Sequence, residues 1–125
     1  MPSNINRGPR QIWRALIWSL KGLREGWRVE ASFRIEVILF VIMFPIGLWL
    51  GHGALEKALL AGSLLPVLAA EMLNSGLEAL VDRLWPEVHI IAGRAKDMGS
   101  AAVFLLMLNV IVIWVVILGA RTGAW

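Results

Sequence analysis

The chain has 125 residues, 58% of them hydrophobic, and a mean hydropathy of +0.72, which places it among integral membrane proteins and well above soluble domains of this length. Cysteine is absent, so disulfides and thiolate metal sites are excluded, and the formal net charge of +3 is modest, with no nucleic-acid partner expected. A soluble three-helix bundle is disfavoured because the last apolar segment is apolar all round rather than along one stripe.

In chain order, Ile12, Leu16, Leu20, Leu23 and Trp27 recur at helical spacing, with Arg14, Lys21, Arg24, Glu25 and Arg28 on the opposite side. This predicts an amphipathic helix over about 8–30, lying in the membrane interface. The same stretch is basic and interrupted by charge, so no cleavable signal peptide is expected. Three apolar segments follow, about 35–51, about 57–78 and about 98–119, against the roughly 20 helical residues that cross a hydrocarbon core of about 30 Å. Ten of the twelve basic residues lie before the first segment or between the second and third, the exceptions being Lys57 and Arg121. Excess positive charge stays on the cytoplasmic side, so the N-terminus and the second connection are expected there, with the GHGALEK turn and the C-terminal tail outside. Trp13, Trp18, Trp27, Trp49, Trp85 and Trp125 suit interfacial belts. No internal repeat or low-complexity segment interrupts 1–125, which is expected to be a single domain.

Polar residues concentrate at the cytoplasmic boundary. In EMLNSGLEALVDRL (Glu71 to Leu84), a turn of 100° per residue places Asn74, Ser75, Glu78 and Asp82 at about −60°, +40°, −20° and +20° from Glu71. One helix face is therefore rich in carboxylates while Met72, Leu73, Leu77 and Leu80 cover the rest. At 1.5 Å per residue Glu71 lies roughly 16 Å deeper than Asp82, a depth at which an ionisable group marks function by default. In GRAKDMGS, the spacing of Gly93, Lys96, Asp97 and Ser100 puts them on one face beside small residues. In VEASFRIEV, Glu30 and Arg34 are an expected i, i+4 pair and Glu36 opens the first span.

Carboxylates with a lysine at one depth suit a divalent cation and nucleotide phosphate, because hard cations take oxygen ligands and lysine offers a point charge. The same inventory would suit a proton or cation pathway. Asn109, the only clearly polar side chain between Ala101 and Ala120, is a thin basis for such a path. An anchoring protein would not require Glu71 at depth. There is no Walker A or G-x-G-x-x-G pattern, which excludes the phosphate cradle of soluble kinases.

EMLNSGLEALVDR, followed by GRAKDMGSAAV and preceded by SLKGLR and the E-A-x-F-R-x-E pattern of Glu30 to Glu36, resembles the prokaryotic diacylglycerol kinase family over nearly the whole chain. The resemblance implies an all-α membrane protein, three transmembrane helices plus the interfacial helix, assembled as a homotrimer with nucleotide sites at subunit boundaries. It implies transfer of the γ-phosphate of MgATP to the hydroxyl of diacylglycerol, giving phosphatidic acid for phospholipid recycling, at the inner membrane of a bacterium. Relatives of the same fold phosphorylate undecaprenol, another lipid with a terminal hydroxyl, and the wording GRAKDMGSAAV favours diacylglycerol.

By motif position, the resemblance makes Glu71 the catalytic base. A partly desolvated carboxylate is a better proton acceptor than an exposed one. Glu30 and Glu78 match the Mg²⁺ ligands, with Asn74 beside them. Lys96 would neutralise the β- and γ-phosphates, and Asp97 would orient it or contact the nucleotide. Glu87, Val88 and His89 match a segment that closes over the adenosine, with Gln11 and Trp18 at the nucleotide rim. Trp18 stands where the family usually has tyrosine, which removes a hydroxyl, and Gln11 where a basic residue is frequent. Ser19, Arg34, Glu36, Ser100 and Trp114, together with Glu71, match positions that meet the lipid.

Overall fold

A computed structural model describes residues 8–125; Arg7, one of the ten basic residues placed on the cytoplasmic side, lies outside them. The described chain is built of five helical segments: α1 (Pro9–Val29), α2 (Ala31–Leu50), α3 (Gly53–Gly62), α4 (Leu64–Leu84) and α5 (Ile90–Arg121). No strand occurs among the described residues. Three stretches are long and apolar enough to cross a membrane: Ala31–Leu50, the combined Gly53–Leu84 and Ile90–Arg121. The last two helices run well past the apolar windows about 57–78 and about 98–119, because backbone hydrogen bonding continues through the polar stripes that interrupt hydropathy.

Pro9 opens α1, where its missing N–H is harmless and its fixed φ suits a first turn. The predicted apolar face of α1, from Ile12 through Trp27, is turned outward and exposed, as an interfacial helix requires. The helix stops at Glu30, whose backbone is extended (φ −106°, ψ 111°), and α2 begins at the next residue. This break removes the geometry needed for the expected Glu30–Arg34 pair, since i, i+4 neighbours meet only on a continuous helix. The Arg34 guanidinium instead donates to the carbonyls of Trp27 (3.0 Å) and Arg28 (3.1 Å), satisfying the orphan acceptors at the end of α1.

The corner between α1 and α2 is packed on α4. Phe33, 2% exposed, sits against Gly26 of α1, and Met72 of α4 closes the same space. A Cβ on Gly26 would stand 2.6 Å from Met72 Sδ and 3.2 Å from Phe33 Cδ1, so the glycine leaves the space that the Met72 thioether fills. A second close approach joins α4 to α5, where Gly99 faces Asn74 and Leu77.

Between α3 and α4 the helix is interrupted at Ser63, and Pro66 follows in the first turn of α4. The Leu60 carbonyl at this irregularity accepts from Ser63 Oγ (3.1 Å) and from the indole N–H of Trp114 on α5 (3.1 Å). At the end of the bundle away from the Glu30 corner, Glu56 accepts from the His52 backbone N–H (2.8 Å) and pairs with Arg121, tying the start of α3 to the end of α5.

The buried core is a narrow seam of Phe33, Leu60, Ala61, Leu64, Val67, Val81, Ala92 and Val103, whereas most large apolar side chains of α2 and α5 are exposed. In a membrane that outer surface meets lipid or a neighbouring chain, and stability depends on close packing at the seam. Phe33→Ala is expected to cost about 3 kcal/mol, within the range for a deleted core aromatic, and to lower the thermal unfolding midpoint in detergent micelles. Leu73→Ala, at a site 76% exposed, should leave the midpoint unchanged. Equal midpoints for the two variants would contradict the role given to the corner.

Candidate active site

The polar face predicted for the second span is present on α4, and its deepest member is its most enclosed. Glu71 is 6% exposed and Ser75 8% exposed, both directed into the bundle. An ionised carboxylate out of water needs a donor, and Glu71 Oε1 accepts from Ser32 Oγ of the first turn of α2 at 2.5 Å. Glu36, one turn further along α2, lies within electrostatic reach of Glu71, so two carboxylates face each other at this depth. Glu36 Oε2 is buried and has no hydrogen-bond partner among the described residues.

One turn beyond Glu71, Asn74 Nδ2 approaches Glu78 Oε1 at 3.5 Å, both groups part-buried. Asn74 Oδ1 is buried without a hydrogen-bond partner among the described residues, leaving an unused oxygen acceptor beside the Glu78 carboxylate. Lys96 on α5 donates to Asp82 on α4 at 2.8 Å, and Glu78 and Asp97 lie within electrostatic reach of its ammonium. The lysine is thus oriented by Asp82 and not by its chain neighbour Asp97. Adjacent helical residues point about 100° apart, which directs Lys96 toward α4 and Asp97 outward.

The contact face of α5 differs from the expected one for the same reason. Ala92, Lys96, Gly99 and Val103 turn toward α4, whereas Gly93, Asp97 and Ser100 are exposed. The face expected from GRAKDMGS is therefore split, with Lys96 turned toward Asp82 of α4 at the bundle's edge and the other three on its outer surface.

The connection Trp85 to His89 arches over the junction of α4 and α5. His89 closes α5 as its N-cap, Nδ1 accepting from the N–H groups of Ile91 (3.2 Å) and Ala92 (3.4 Å), and its ring lies 6.3 Å from that of Trp85. Beneath the connection is a cavity of about 250 Å³ lined by Asp82, Trp85, Glu87, Val88, His89 and Lys96 among others. The segment expected to cover a nucleoside and the lysine expected to meet phosphate therefore share one pocket.

A second cavity, about 260 Å³, opens between α2, α4 and α5 and is apolar except for Glu36. Val67, a turn before Glu71, is part of its wall, together with Phe40, Met43 and Met107.

Other predicted site residues stand apart from these groups within one chain. Glu30 is half-buried at the α1–α2 hinge and has no side-chain hydrogen bond to Glu78 among the described residues. Gln11 is half-buried, its Oε1 without a partner among the described residues; Trp18 is exposed; Ser19 Oγ bonds back to the Ala15 carbonyl at 2.9 Å. Arg34 is engaged in capping α1. Trp114 is fixed to Leu60, on the far side of the Ser63 interruption from Glu71, so its role within one chain is to stabilise the α3–α4 irregularity.

No group of three or more His, Asp or Glu forms a ready metal cage among the described residues. The donors that lie together, Glu78 and Asn74 Oδ1, are hard oxygens, and with Glu30 apart at the hinge they are the small kind of set that suits Mg²⁺ when phosphate oxygens and water complete its shell. Two participants were missed by the sequence reading: Ser32, the partner of Glu71, and Asp82 as the partner of Lys96. Asp82 was visible on the α4 stripe, but no local pattern distinguishes Ser32 from any other first-turn serine.

Comparison with known proteins places these features in a common frame. The family model for prokaryotic diacylglycerol kinase matches residues 17–118. The chain is 40% identical over 121 residues to the diacylglycerol kinase of Escherichia coli (strain K12), covering 97% of this chain and 99% of that protein. It is 43% identical over 97 residues to the diacylglycerol kinase of Haemophilus influenzae, covering 78% and 82% of the two chains, and 40% identical over 117 residues to that of Pseudomonas aeruginosa, covering 94% and 95%. The match takes in the Glu71 stripe, the Lys96 helix and most of α1, and the chain belongs to the prokaryotic diacylglycerol kinase family.

Proposed function

We infer that the protein is a membrane-embedded kinase that transfers the γ-phosphate of ATP to the hydroxyl of diacylglycerol, giving phosphatidic acid and ADP. The observation that carries this reading at the level of the site is Glu71, a buried carboxylate held by one hydroxyl donor, beside an apolar cavity and one turn from Asn74 and Glu78. The apolar cavity suits an acyl chain and its polar end, at Glu36, suits a glycerol hydroxyl, with Glu71 one turn beyond Val67 of the wall.

Glu71 acts as general base. As the lipid oxygen attacks the γ-phosphorus and the bond to ADP breaks, Glu71 takes the hydroxyl proton. Lys96, held by Asp82, offers positive charge to the β- and γ-phosphates, and the Trp85 to His89 connection covers the nucleoside. Glu78 and Glu30 would hold Mg²⁺, with Asn74 beside Glu78, and the bound cation would supply positive charge against the phosphates. Gln11, Trp18 and Asp97 complete the nucleotide rim, and Ser19, Arg34, Ser100 and Trp114 belong to the lipid-facing surface.

The active unit is a homotrimer. Gly93, Asp97 and Ser100 face outward from one chain, and Glu30 and Glu78 are not joined within it, so a neighbouring subunit supplies the missing wall. The membrane is the bacterial inner membrane. The N-terminus and the Glu71 end face the cytoplasm, as the placement of ten of the twelve basic residues implies and as access to ATP requires.

Glu71→Gln keeps size and hydrogen-bonding capacity but removes the proton acceptor. Turnover with MgATP and diacylglycerol should fall by at least ~10²-fold while ATP binding changes little; near-parental turnover would contradict the base assignment. Glu30→Gln and Glu78→Gln should each raise the Mg²⁺ concentration needed for half-maximal activity and weaken MgATP binding. A variant whose Mg²⁺ titration matches the parent does not lack a ligand.

A further inference from the structure

We propose that Ser32 is a positioning residue for the catalytic carboxylate, its hydroxyl holding Glu71 Oε1 so that Oε2 is the oxygen that receives the lipid proton. This rests on the reading of Glu71 as the base. The bond is 2.5 Å long and joins the first turn of α2 to the middle of α4, across 39 residues of sequence. Glu71 Oε2 has no hydrogen-bond partner among the described residues, and unlike Glu36 Oε2 it is not among the sealed, unpartnered oxygens. One carboxylate oxygen is thus committed to the protein and the other is left for substrate.

The two ends of this bond are held by packing. Ser32 precedes Phe33 and Glu71 precedes Met72, and Phe33 and Met72 both pack against Gly26 at the α1–α2 corner. The same contact that seats the corner therefore sets the distance between hydroxyl and carboxylate. A carboxylate can rotate about its last two bonds, and fixing one oxygen removes that freedom before the substrate arrives. Ser32 itself is exposed at the edge of the bundle, and its hydroxyl reaches inward to the buried carboxylate. Neither its hydrogen nor its oxygen enters the reaction.

A purely structural serine would alter stability or substrate affinity, whereas a positioning serine alters turnover. Ser32→Ala is expected to lower kcat about fivefold or more, the equivalent of a typical net hydrogen bond, with KM for MgATP and for diacylglycerol within twofold of the parent. Ser32→Thr, which retains the hydroxyl, should recover most of the loss. In a Glu71→Gln background, Ser32→Ala should reduce the residual turnover no further, since the two groups act as a unit. Ser32→Cys keeps the side-chain size with only a weak donor and covers the case in which alanine perturbs folding; it should lose kcat to a similar extent with an unchanged unfolding midpoint. Parental kcat in Ser32→Ala or Ser32→Cys, beside an inactive Glu71→Gln, would overturn the role of Ser32 and leave the base intact. Near-parental turnover in Glu71→Gln would overturn both.

Discussion

A carboxylate kept inside an apolar bundle needs a hydrogen-bond donor and a wall, and Glu71 obtains both where α1, α2 and α4 converge. At that corner Phe33 and Met72 both pack on Gly26, Arg34 donates to the last carbonyls of α1, and Ser32 reaches the Glu71 carboxylate. Each contact makes the next possible. Without the break at Glu30, Arg34 would not lie beneath the end of α1 and α2 would not present Ser32 to α4. The energetic case is simple: an uncompensated ionised group at membrane depth costs several kcal/mol, so the packing that surrounds Glu71 is also what permits it to exist.

The two ends of the bundle divide their tasks. At the end away from the corner, the Glu56–Arg121 pair and the His52 N–H close α3 against α5, and the Leu60 carbonyl takes two donors where the helix is interrupted. These contacts fasten the spans together. At the other end, Glu71, Asn74 and Glu78 form a ladder of polar groups about one helical turn apart on α4, with Glu36 of α2 and Lys96 of α5 near its two ends, flanked by one apolar and one polar cavity. A ladder that stops at mid-bundle suits a reaction between a lipid and a water-soluble nucleotide, and it offers no path through the membrane. Asn109 remains exposed on α5 and joins no polar network among the described residues.

The sequence carried the helices and the α4 stripe because both depend on local periodicity. A rotation of 100° per residue was sufficient to place Glu71, Ser75 and Glu78 on one face, and in the structure Glu71 and Ser75 are the buried polar members of that helix. What it did not carry were contacts set by the register between helices. Ser32 is paired with Glu71 only because α2 lies against α4 at one particular height, and Lys96 selects Asp82 over Asp97 because of how α5 is rotated. The Glu30–Arg34 expectation failed for a local reason that spacing conceals, namely a single extended residue between two helices. Gly99, not Gly93, is the glycine that α4 approaches, a choice that small-residue spacing alone leaves open.

Acceptor transfer is the most direct measurement of this account. Purified protein in mixed micelles, given MgATP labelled at the γ-phosphate and a panel of diacylglycerol, undecaprenol and ceramide, should move label to diacylglycerol far faster than to the other two, with loss of transfer in Glu71→Gln. Label appearing mainly on undecaprenol would keep the chemistry and change the substrate. No Glu71-dependent transfer to any lipid hydroxyl, from protein shown to be folded and assembled, would contradict the account itself.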